Sequence, residues 1–199
     1  EHVHPTVSSS GRLGHEYYNT IGYVPCNVGI HESVARTLEY AYNDWCILQI
    51  AKKLNRPQEE LDKWEARSNN WKNVFDPSHN LMRGRNLDGT FEDNFSPYRW
   101  GGAFTEGNAW HYTWSVFHDV DGLKEEMGGA ETFTAMLDSV FVVPPIYDDS
   151  YYGYRIHEIT QMQVRGANMG NLRLRGTIGN GCYVIISSPV ESIQESVAL

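Results

Sequence analysis

The sequence contains two consecutive stretches with helical periodicity, separated by a break of only three residues. In the first, from Ser33 to Leu54, Ser33 is the candidate N-cap and apolar residues recur at alternating steps of four and three: Val34, Leu38, Ala41, Trp45 and Leu48. The second opens with Pro57 and an acidic first turn, both typical of helix starts, and repeats through Leu61, Trp64, Ser68, Trp71 and Phe75 before Asp76-Pro77. Because so short a break places the two helices side by side, we predict an antiparallel helical hairpin.

The rest of the chain is also mainly helical in pattern. Residues 79–102 have no helical period and carry an Asp88-Gly89 turn, which predicts a short β-hairpin and a loop. Helical spacing returns over Thr105–His118 and over Val120–Phe141, where Gly128-Gly129 interrupts the run and Phe133, Leu137, Val140 and Phe141 share one face, and a short helix is expected at Arg155–Gln163. The fold class predicted for these 199 residues is therefore all-α, with one β-hairpin excursion and an irregular C-terminal tail.

Charge and motif content exclude several classes of function. The net charge of −9 comes from acidic residues scattered along the chain, so we expect no nucleic-acid partner. No run of 18 apolar residues predicts a membrane span, and the three cysteines form no CxxC pair. The N-terminus lacks a signal-peptide pattern but also does not begin with Met, which is compatible with an earlier processed segment. Phosphate-binding glycine loops and a GxSxG elbow are absent as well.

Glu106, in the stretch FTEGNAWHYTW, is the main candidate for chemistry and has two interpretations. If Thr105 caps a helix, Glu106 lies in the first turn, where the helix dipole stabilises the ionised carboxylate. If instead Trp100, Phe104, Trp110 and Trp114 desolvate the carboxyl group, its pKa rises and it becomes suited to donate a proton. From the residues alone the capping interpretation is the stronger.

Other polar groups are weaker candidates, each with a common structural explanation. His111 and His118 are two helical turns apart and are interpreted as ordinary helix histidines rather than metal ligands. Asp119 is interpreted as an N-cap, although Asp119 and Asp121 carry oxygens that calcium accepts. Arg83 and Arg85 straddle a glycine and could bind hydroxyls at the mouth of a site. The pairs Asp148-Asp149 and His157-Glu158 are interpreted as loop or surface groups.

Several stretches in the same order resemble the central part of glycoside hydrolase family 92. The resemblance covers about Arg12 to Asn171 and rests mainly on TLEYAYNDWC and FTEGNAWHYTW, with NVFDPSHNLMRGRNLDGTF, EEMGGAETFTAMLDSVF and RIHEITQMQ. It implies a bacterial, calcium-dependent, inverting exo-α-mannosidase, in many members α-1,2-specific, that acts on α-mannoside glycans and is secreted or periplasmic. It also implies a partial α/α toroid built of helical hairpins.

The same resemblance assigns roles to individual residues. Glu106 occupies the position of the family's general acid. Trp100, Trp110 and His111 become expected substrate-binding groups through their proximity to that motif, and Arg83 joins them from the hairpin. The calcium ligands are not identified in this sequence, so its metal residues stay unknown.

The sequence also departs from the family pattern. A GNDDxGQ-like stretch, which carries the general base in the family, is absent, and NMGN (Asn168–Asn171) is followed by LRLRGTIGNGC instead of the GNEP or GNQP stretch of the calcium site. We therefore expect a partial toroid over residues 1–171 and a divergent tail over 172–199. An inactive or sugar-binding domain stays open as an alternative, as does a homo-oligomer that covers unpartnered helix faces or completes the site.

Overall fold

The computed structural model describes residues 11–143, 146 and 148–154. Its elements, in chain order, are α1 (His15–Ile21), α2 (Ser33–Lys53), α3 (Gln58–Ser68), a 3₁₀ helix (Asn70–Val74), β1 (Phe75–Asp76), β2 (Leu81–Met82), α4 (Ala109–Tyr112), α5 (Val120–Glu126) and α6 (Ala130–Val142). The predicted all-α class with a β-hairpin excursion is confirmed over this part of the chain. The expected helix at Arg155–Gln163 and the tail at 172–199 lie outside the described residues.

The predicted hairpin of α2 and α3 is confirmed. Val34, Leu38, Ala41 and Leu48 are buried along one stripe of α2, and Asn55, at φ 51°, helps to turn the chain toward Pro57. Asp44, fully buried in α2, accepts a hydrogen bond from Arg67 of α3 at 2.7 Å and one from Arg12 at 3.0 Å. Apolar packing and the Arg67–Asp44 ion pair thus join α2 to α3, and the partly buried Arg12 ties the segment before α1 to the same carboxylate.

The second helix of the hairpin ends earlier than predicted. The α-helix ends at Ser68, and a 3₁₀ helix continues over Asn70–Val74. The side chains of Ser68 and Asn69 both donate to the carbonyl of Glu65, at 2.7 and 2.9 Å. Such side-chain bonds compete with the helical backbone, which explains the change of geometry here.

The β-hairpin excursion follows directly. β1 and β2 pair antiparallel, with Phe75 opposite Met82. Arg85 and Phe91 form a second bridge, and the predicted Asp88-Gly89 turn lies inside it, closed by the Asn86 amide on the Thr90 carbonyl at 2.7 Å. The chain then runs without regular structure toward Gly101.

Helices α5 and α6 lie where the sequence predicts them. Asp119 is the N-cap of α5, as predicted, and accepts from the Gly122 amide at 3.0 Å. Gly128 and Gly129, at φ 90° and 110°, separate the two helices. Phe133 and Val140 are buried on the predicted inner face, where the Phe133 ring meets Trp114 edge to face at 5.8 Å.

The predicted helix Thr105–His118 is wrong. Only Ala109–Tyr112 is α-helical, and Asn108 caps it by accepting from the His111 amide. The backbone before it is incompatible with a helix because Glu106 lies at φ 44°. After it, the Thr113 hydroxyl donates to the Ala109 carbonyl at 2.8 Å and accepts from the Met82 amide at 2.9 Å, which ties the chain to β2.

Candidate active site

The loop that carries Glu106 is anchored on the first turn of α2. The carbonyl of Gly102 accepts from the Glu32 amide at 2.8 Å, and the carbonyl of Ala103 accepts from the amides of Val34 and Ala35 at 3.0 and 3.2 Å. These carbonyls satisfy amides that have no partner inside the helix. The prediction of Ser33 as the N-cap is therefore wrong. Ser33 is the first helical residue, and Glu32 precedes it in a left-handed conformation.

Glu106 itself is exposed and lies in that loop, not in a helix. It is not desolvated among the neighbouring aromatic rings, and the helix-capping interpretation is wrong because α4 begins three residues later, after Asn108. Its carboxylate makes no hydrogen bond or ion pair within the described ranges of the chain. A left-handed backbone costs a non-glycine residue about 1–2 kcal/mol, and such strain is concentrated at functional sites. The arrangement leaves both carboxyl oxygens available to a ligand.

Two tyrosines pack against the start of the same loop. A Cβ atom on Gly101, at φ 85°, would lie 2.7 Å from the Tyr152 ring and 3.0 Å from the Tyr151 ring, so this position requires glycine. The Tyr151 hydroxyl contacts His31 Nδ1 at 2.8 Å, which fixes that ring. Both tyrosine rings are about 40% exposed. They offer aromatic surface beside the loop that carries Glu106.

Tyr152 lies within electrostatic range of Glu106. Burial raises the pKa of Tyr152, and the charges of Tyr151, Glu32, Tyr154 and Glu106 raise it further. These tyrosines were not predicted as site residues, because they lie far from Glu106 along the chain. The run YYGY in a loop was the available signal, since exposed aromatic clusters of this kind are typical of binding surfaces.

Trp100 and His111 support the loop from behind. Their rings meet edge to face at 5.5 Å, and both residues are buried. His111 Nδ1 lies 2.8 Å from the Asn108 side chain, within the capping box that starts α4. Trp110 is half-buried, and its indole N–H makes no hydrogen bond among the described residues. Substrate contacts by these three residues stay a prediction.

Arg83 is engaged with its own hairpin. Its guanidinium donates to Asp76 at 2.9 Å and to the Glu92 carbonyl at 3.1 Å. Burial opposes ionisation of Asp76, but hydrogen bonds from Ser78, Arg83 and His79 outweigh it and lower the pKa of the carboxyl group to about 2. A role of Arg83 in substrate binding stays a prediction. Its bonds join β1, at Asp76, to the segment after the Asp88-Gly89 turn, at Glu92.

The histidines and carboxylates considered as metal ligands do not converge. His118 lies beyond the end of α4, not in a helix as interpreted, and its Nε2 contacts the Ser68 carbonyl at 2.8 Å. Burial lowers the pKa of His118. Across residues 11–143, 146 and 148–154, no three His, Cys, Asp or Glu side chains are placed to hold a metal ion.

An inverting glycosidase needs a second carboxylate as general base, and the sequence offers Asp44, Asp148, Asp149 and Glu158 as candidates, which differ in availability. Asp44 is fully buried between two arginines, so its oxygens are occupied. Asp148 lies near the Glu106 loop, since its carbonyl accepts from the Trp100 amide at 3.0 Å. Burial opposes ionisation of its carboxyl group, but hydrogen bonds from Ser150 and Ser96 and the charge of Arg99 lower its pKa. Glu158 lies outside the described residues.

Comparison with known proteins places this arrangement in context. The profile of the glycosyl hydrolase family 92 catalytic domain matches residues 1–172. A protein named uncharacterized secreted glycosidase, from Arthroderma benhamiae, is 29% identical over an alignment of 164 residues, and the match covers 67% of this chain and 21% of that protein. None of the helices in the described ranges is long and apolar enough to cross a membrane.

Solved structures give the same family. A family 92 inverting mannosidase from Bacteroides thetaiotaomicron is 46% identical, with a TM-score of 0.66 over 84% of this chain and 22% of that one. A second α-mannosidase from the same organism is 41% identical, with a TM-score of 0.60 over 64% of this chain and 17% of that one. Its complex with mannoimidazole gives 38% identity and a TM-score of 0.62, over 67% and 18% of the two chains.

These relationships confirm the resemblance seen in the sequence and the partial α/α toroid that it implied. The chain spans about a fifth of the length of the relatives named above. Within that span lies the loop that presents Glu106 beside two tyrosines. By the extent of the match and the identity to its solved relatives, the chain belongs to glycosyl hydrolase family 92.

Proposed function

We propose that this chain carries the general-acid segment of an inverting, exo-acting α-mannosidase that releases mannose from α-1,2-linked mannosides or glycans. The observation that carries the proposal is Glu106: an exposed carboxyl group, without a structural partner in the described residues, on a strained loop bonded to the first turn of α2. Its family relatives include an inverting mannosidase and one bound to mannoimidazole, which supports a mannoside as the substrate.

In this mechanism Glu106 acts in its protonated form. It donates its proton to the glycosidic oxygen as the bond from that oxygen to the anomeric carbon breaks. A water molecule attacks the anomeric carbon from the opposite face of the ring, and a second carboxylate takes the proton of that water. Glu106 then regains a proton from solvent. The products are mannose of inverted configuration and the leaving alcohol.

The second carboxylate is not assigned. An inverting enzyme needs it about 6.5–9.5 Å from the acid, so that a water fits between them. Asp148, Asp149 and Glu158 stay candidates, whereas the two arginines on Asp44 leave it poorly suited to accept a proton. We also assign the rings of Tyr151 and Tyr152 to contacts with the faces of the sugar ring. Further proposed substrate contacts are Trp100, Trp110, His111 and Arg83.

Calcium, location and assembly complete the proposal. Calcium is implied by the family, but the described residues do not supply its site, so no step above passes through it. We place the protein outside the cytoplasm, as a secreted or periplasmic enzyme, in line with its secreted relative. A homo-oligomer is proposed from large apolar side chains that stay exposed on the described helices: Ile50, Leu54 and Val142.

One observation favours a second candidate, a sugar-binding domain without turnover. After NMGN the sequence continues as LRLRGTIGNGC, where the family has a GNEP or GNQP stretch. No base is assigned among the described residues, and Glu106 alone would bind a mannoside but not hydrolyse it by inversion.

The deciding experiment is release of mannose from α-1,2-mannobiose by the purified chain, compared with Glu106→Gln. We expect the substitution to lower the rate about 10²–10⁴-fold, because a general acid contributes that much. Glu131→Gln, at an exposed position in the first turn of α6, is the matched control and should keep full activity. EDTA in parallel reports whether turnover depends on a divalent metal.

The outcomes separate the two candidates. Turnover that Glu106→Gln does not slow would disprove the role of Glu106. A folded wild-type chain that binds the disaccharide but releases no mannose would instead favour the sugar-binding domain.

A further inference from the structure

A small cavity lies between the start of α2 and the Glu106 loop. Its volume is about 140 Å³, and it is called here the Ser33 pocket. Its walls include side chains from the turn before α2, from the segment after the β-hairpin and from the tyrosine loop: Cys26, Ser33, Glu92, Arg99 and Tyr151. The backbone of Gly102 closes one side. The proposed function uses Tyr151 of these walls but assigns no ligand to the cavity itself.

Ser33 gives the pocket an unused hydrogen-bonding group. The residue is 1% exposed, and its hydroxyl has no hydrogen-bond partner among the described residues. It does not cap α2, because the carbonyls of Gly102 and Ala103 take the amides of the first turn. A buried hydroxyl without a partner costs about 1–3 kcal/mol, which a ligand in the cavity could recover by bonding to it.

Two other polar walls, Glu92 and Cys26, have raised pKa values. Burial raises the pKa of Glu92, and Arg99, the Gly84 amide and Arg83 oppose that rise. Burial, together with the charge of Glu92, raises the pKa of the Cys26 thiol to about 11, so the thiol is protonated near neutral pH. It donates to the Asn86 side chain at 3.2 Å. A thiol that is mostly protonated is a poor metal ligand and reacts slowly with electrophiles.

Charge and size narrow the ligand class. The walls contain one carboxyl group, on Glu92, and one guanidinium group, on Arg99, whose charges are of opposite sign. The rest of the polar lining consists of hydroxyl groups, a thiol, His31 and backbone. Such walls suit a neutral ligand that both donates and accepts hydrogen bonds. The volume is below the roughly 300 Å³ of sites for drug-sized ligands. It suits one sugar ring, or a smaller polyol, better than a disaccharide.

We propose that the Ser33 pocket binds a neutral polyol of up to one sugar ring, with the Ser33 hydroxyl and the Glu92 carboxyl group as its hydrogen-bonding partners. The pocket adjoins the Glu106 loop through Gly101 and Gly102. The choice of mannose as the probe rests on the proposed function, but binding in the pocket requires neither turnover nor Glu106.

Cys26 provides a direct test because it lines the pocket. The full chain is treated with iodoacetamide at increasing concentrations of D-mannose, and modification of each cysteine is followed by peptide mass spectrometry. Mannose should slow the modification of Cys26 in a saturable way. Cys46, also a half-buried free cysteine but absent from the pocket walls, is the internal control and should react at an unchanged rate.

Substitutions assign the partners. Ser33→Ala should weaken the protection of Cys26 about fivefold, the effect of one buried hydrogen bond. Glu92→Leu, of similar size, tests the second partner and should weaken protection by at least as much. Glu106→Gln should leave the protection intact, so that failure of the pocket and failure of the proposed catalysis are distinguishable. D-mannuronate, which adds a negative charge to the same ring, should protect less than mannose.

Several outcomes would overturn the proposal. If mannose does not change the modification rate of Cys26, the cavity holds only water. If folded Ser33→Ala and Glu92→Leu proteins are both protected like the wild type, these side chains are not the partners. Stronger protection by D-mannuronate would contradict the assignment of a neutral ligand.

Discussion

The α2–α3 hairpin and the Gly101–Tyr112 segment adjoin each other but are stabilised in opposite ways. The hairpin buries a regular apolar stripe and joins its helices through Asp44. The Gly101–Tyr112 segment has three residues with positive φ, Gly101, Gly102 and Glu106, and depends on carbonyls that bond to α2. The first region follows its local sequence pattern, and the second holds a left-handed Glu106 on a loop that is bonded to the first region. Substitutions should therefore behave differently in the two regions.

The largest effect is expected for Asp44→Ala in the hairpin. Removal of the carboxylate leaves the guanidinium groups of Arg12 and Arg67 without their buried partner, so we expect a loss of about 3 kcal/mol in the free energy of unfolding. Their positions over the rings of Tyr40 and Trp64, at 4.7 and 5.1 Å, recover only part of this loss. Urea unfolding followed by circular dichroism measures the change.

Asp62→Ala is the matched control for that experiment. Asp62 is exposed on α3 and, within the described part of the chain, bonds to Gln58, so its loss should change the free energy of unfolding by less than about 0.5 kcal/mol. Equal effects of the two substitutions would show that the buried ion pairs do not hold the hairpin together.

The next effect concerns the close packing of the loop. Gly101→Ala places a Cβ atom 2.7 Å from the Tyr152 ring at a residue with φ 85°, and should cost about 2–3 kcal/mol. Gly29→Ala is the control, since Gly29 has φ 77° and no atom within 4 Å of the added Cβ, so it should cost only about 1 kcal/mol. Urea unfolding of both variants isolates the tyrosine contact. Equal costs would mean that the tyrosines do not pack against the loop.

The same contrast explains how far the sequence could predict the molecule. The hairpin was predictable because periodicity, Pro57 and the three-residue break all agree, and only the side-chain bonds of Ser68 and Asn69 shorten α3. The helix at Thr105–His118 was mispredicted because Trp110 and Trp114 have helical spacing, while contacts from α2 and β2 determine the backbone. Such nonlocal contacts leave no local pattern.

The candidate site was predictable only in part for the same reason. Glu106 could be selected from its motif, whereas its neighbours Tyr151 and Tyr152 and the Ser33 pocket arise when distant segments meet. The position of Ser33 just before the helical repeat correctly indicated where α2 starts. It could not reveal that carbonyls of another loop would take the cap's role and leave the hydroxyl unused.

Acid titration tests a third region, the β-hairpin that joins the other two. The folded pKa of Asp76 is about 2, below its ordinary value of 3.8. The ionised carboxylate therefore adds stability that is fully present above about pH 4 and is lost as the pH falls toward 2. The shift corresponds to about 2 kcal/mol.

The measurement for that region is the free energy of unfolding between pH 4.5 and about 2, in the wild type and in Asp76→Asn. We expect the variant to be less stable near pH 4.5 and to lose less stability on acidification. Curves that stay parallel over the whole range would contradict the assignment of Asp76, and the acid sensitivity would then belong to other carboxyl groups.

The smallest effect makes the sharpest distinction between the two regions. Glu106→Gly removes the strain of a non-glycine residue at φ 44°, but glycine also gains freedom in the unfolded chain, so we expect a net rise of only about 0.5 kcal/mol in the free energy of unfolding. Glu39→Gly, at an exposed position inside α2, should instead lower it by about 1 kcal/mol. Urea unfolding gives both values, and mannose release shows whether the more stable Glu106 variant is also inactive. A rise in the free energy of unfolding for Glu106→Gly, with a fall for Glu39→Gly, would mean that the Glu106 carboxylate destabilises the loop and is retained for its chemistry. A fall in both variants would mean that Glu106 stabilises the fold, as Glu39 does in its helix.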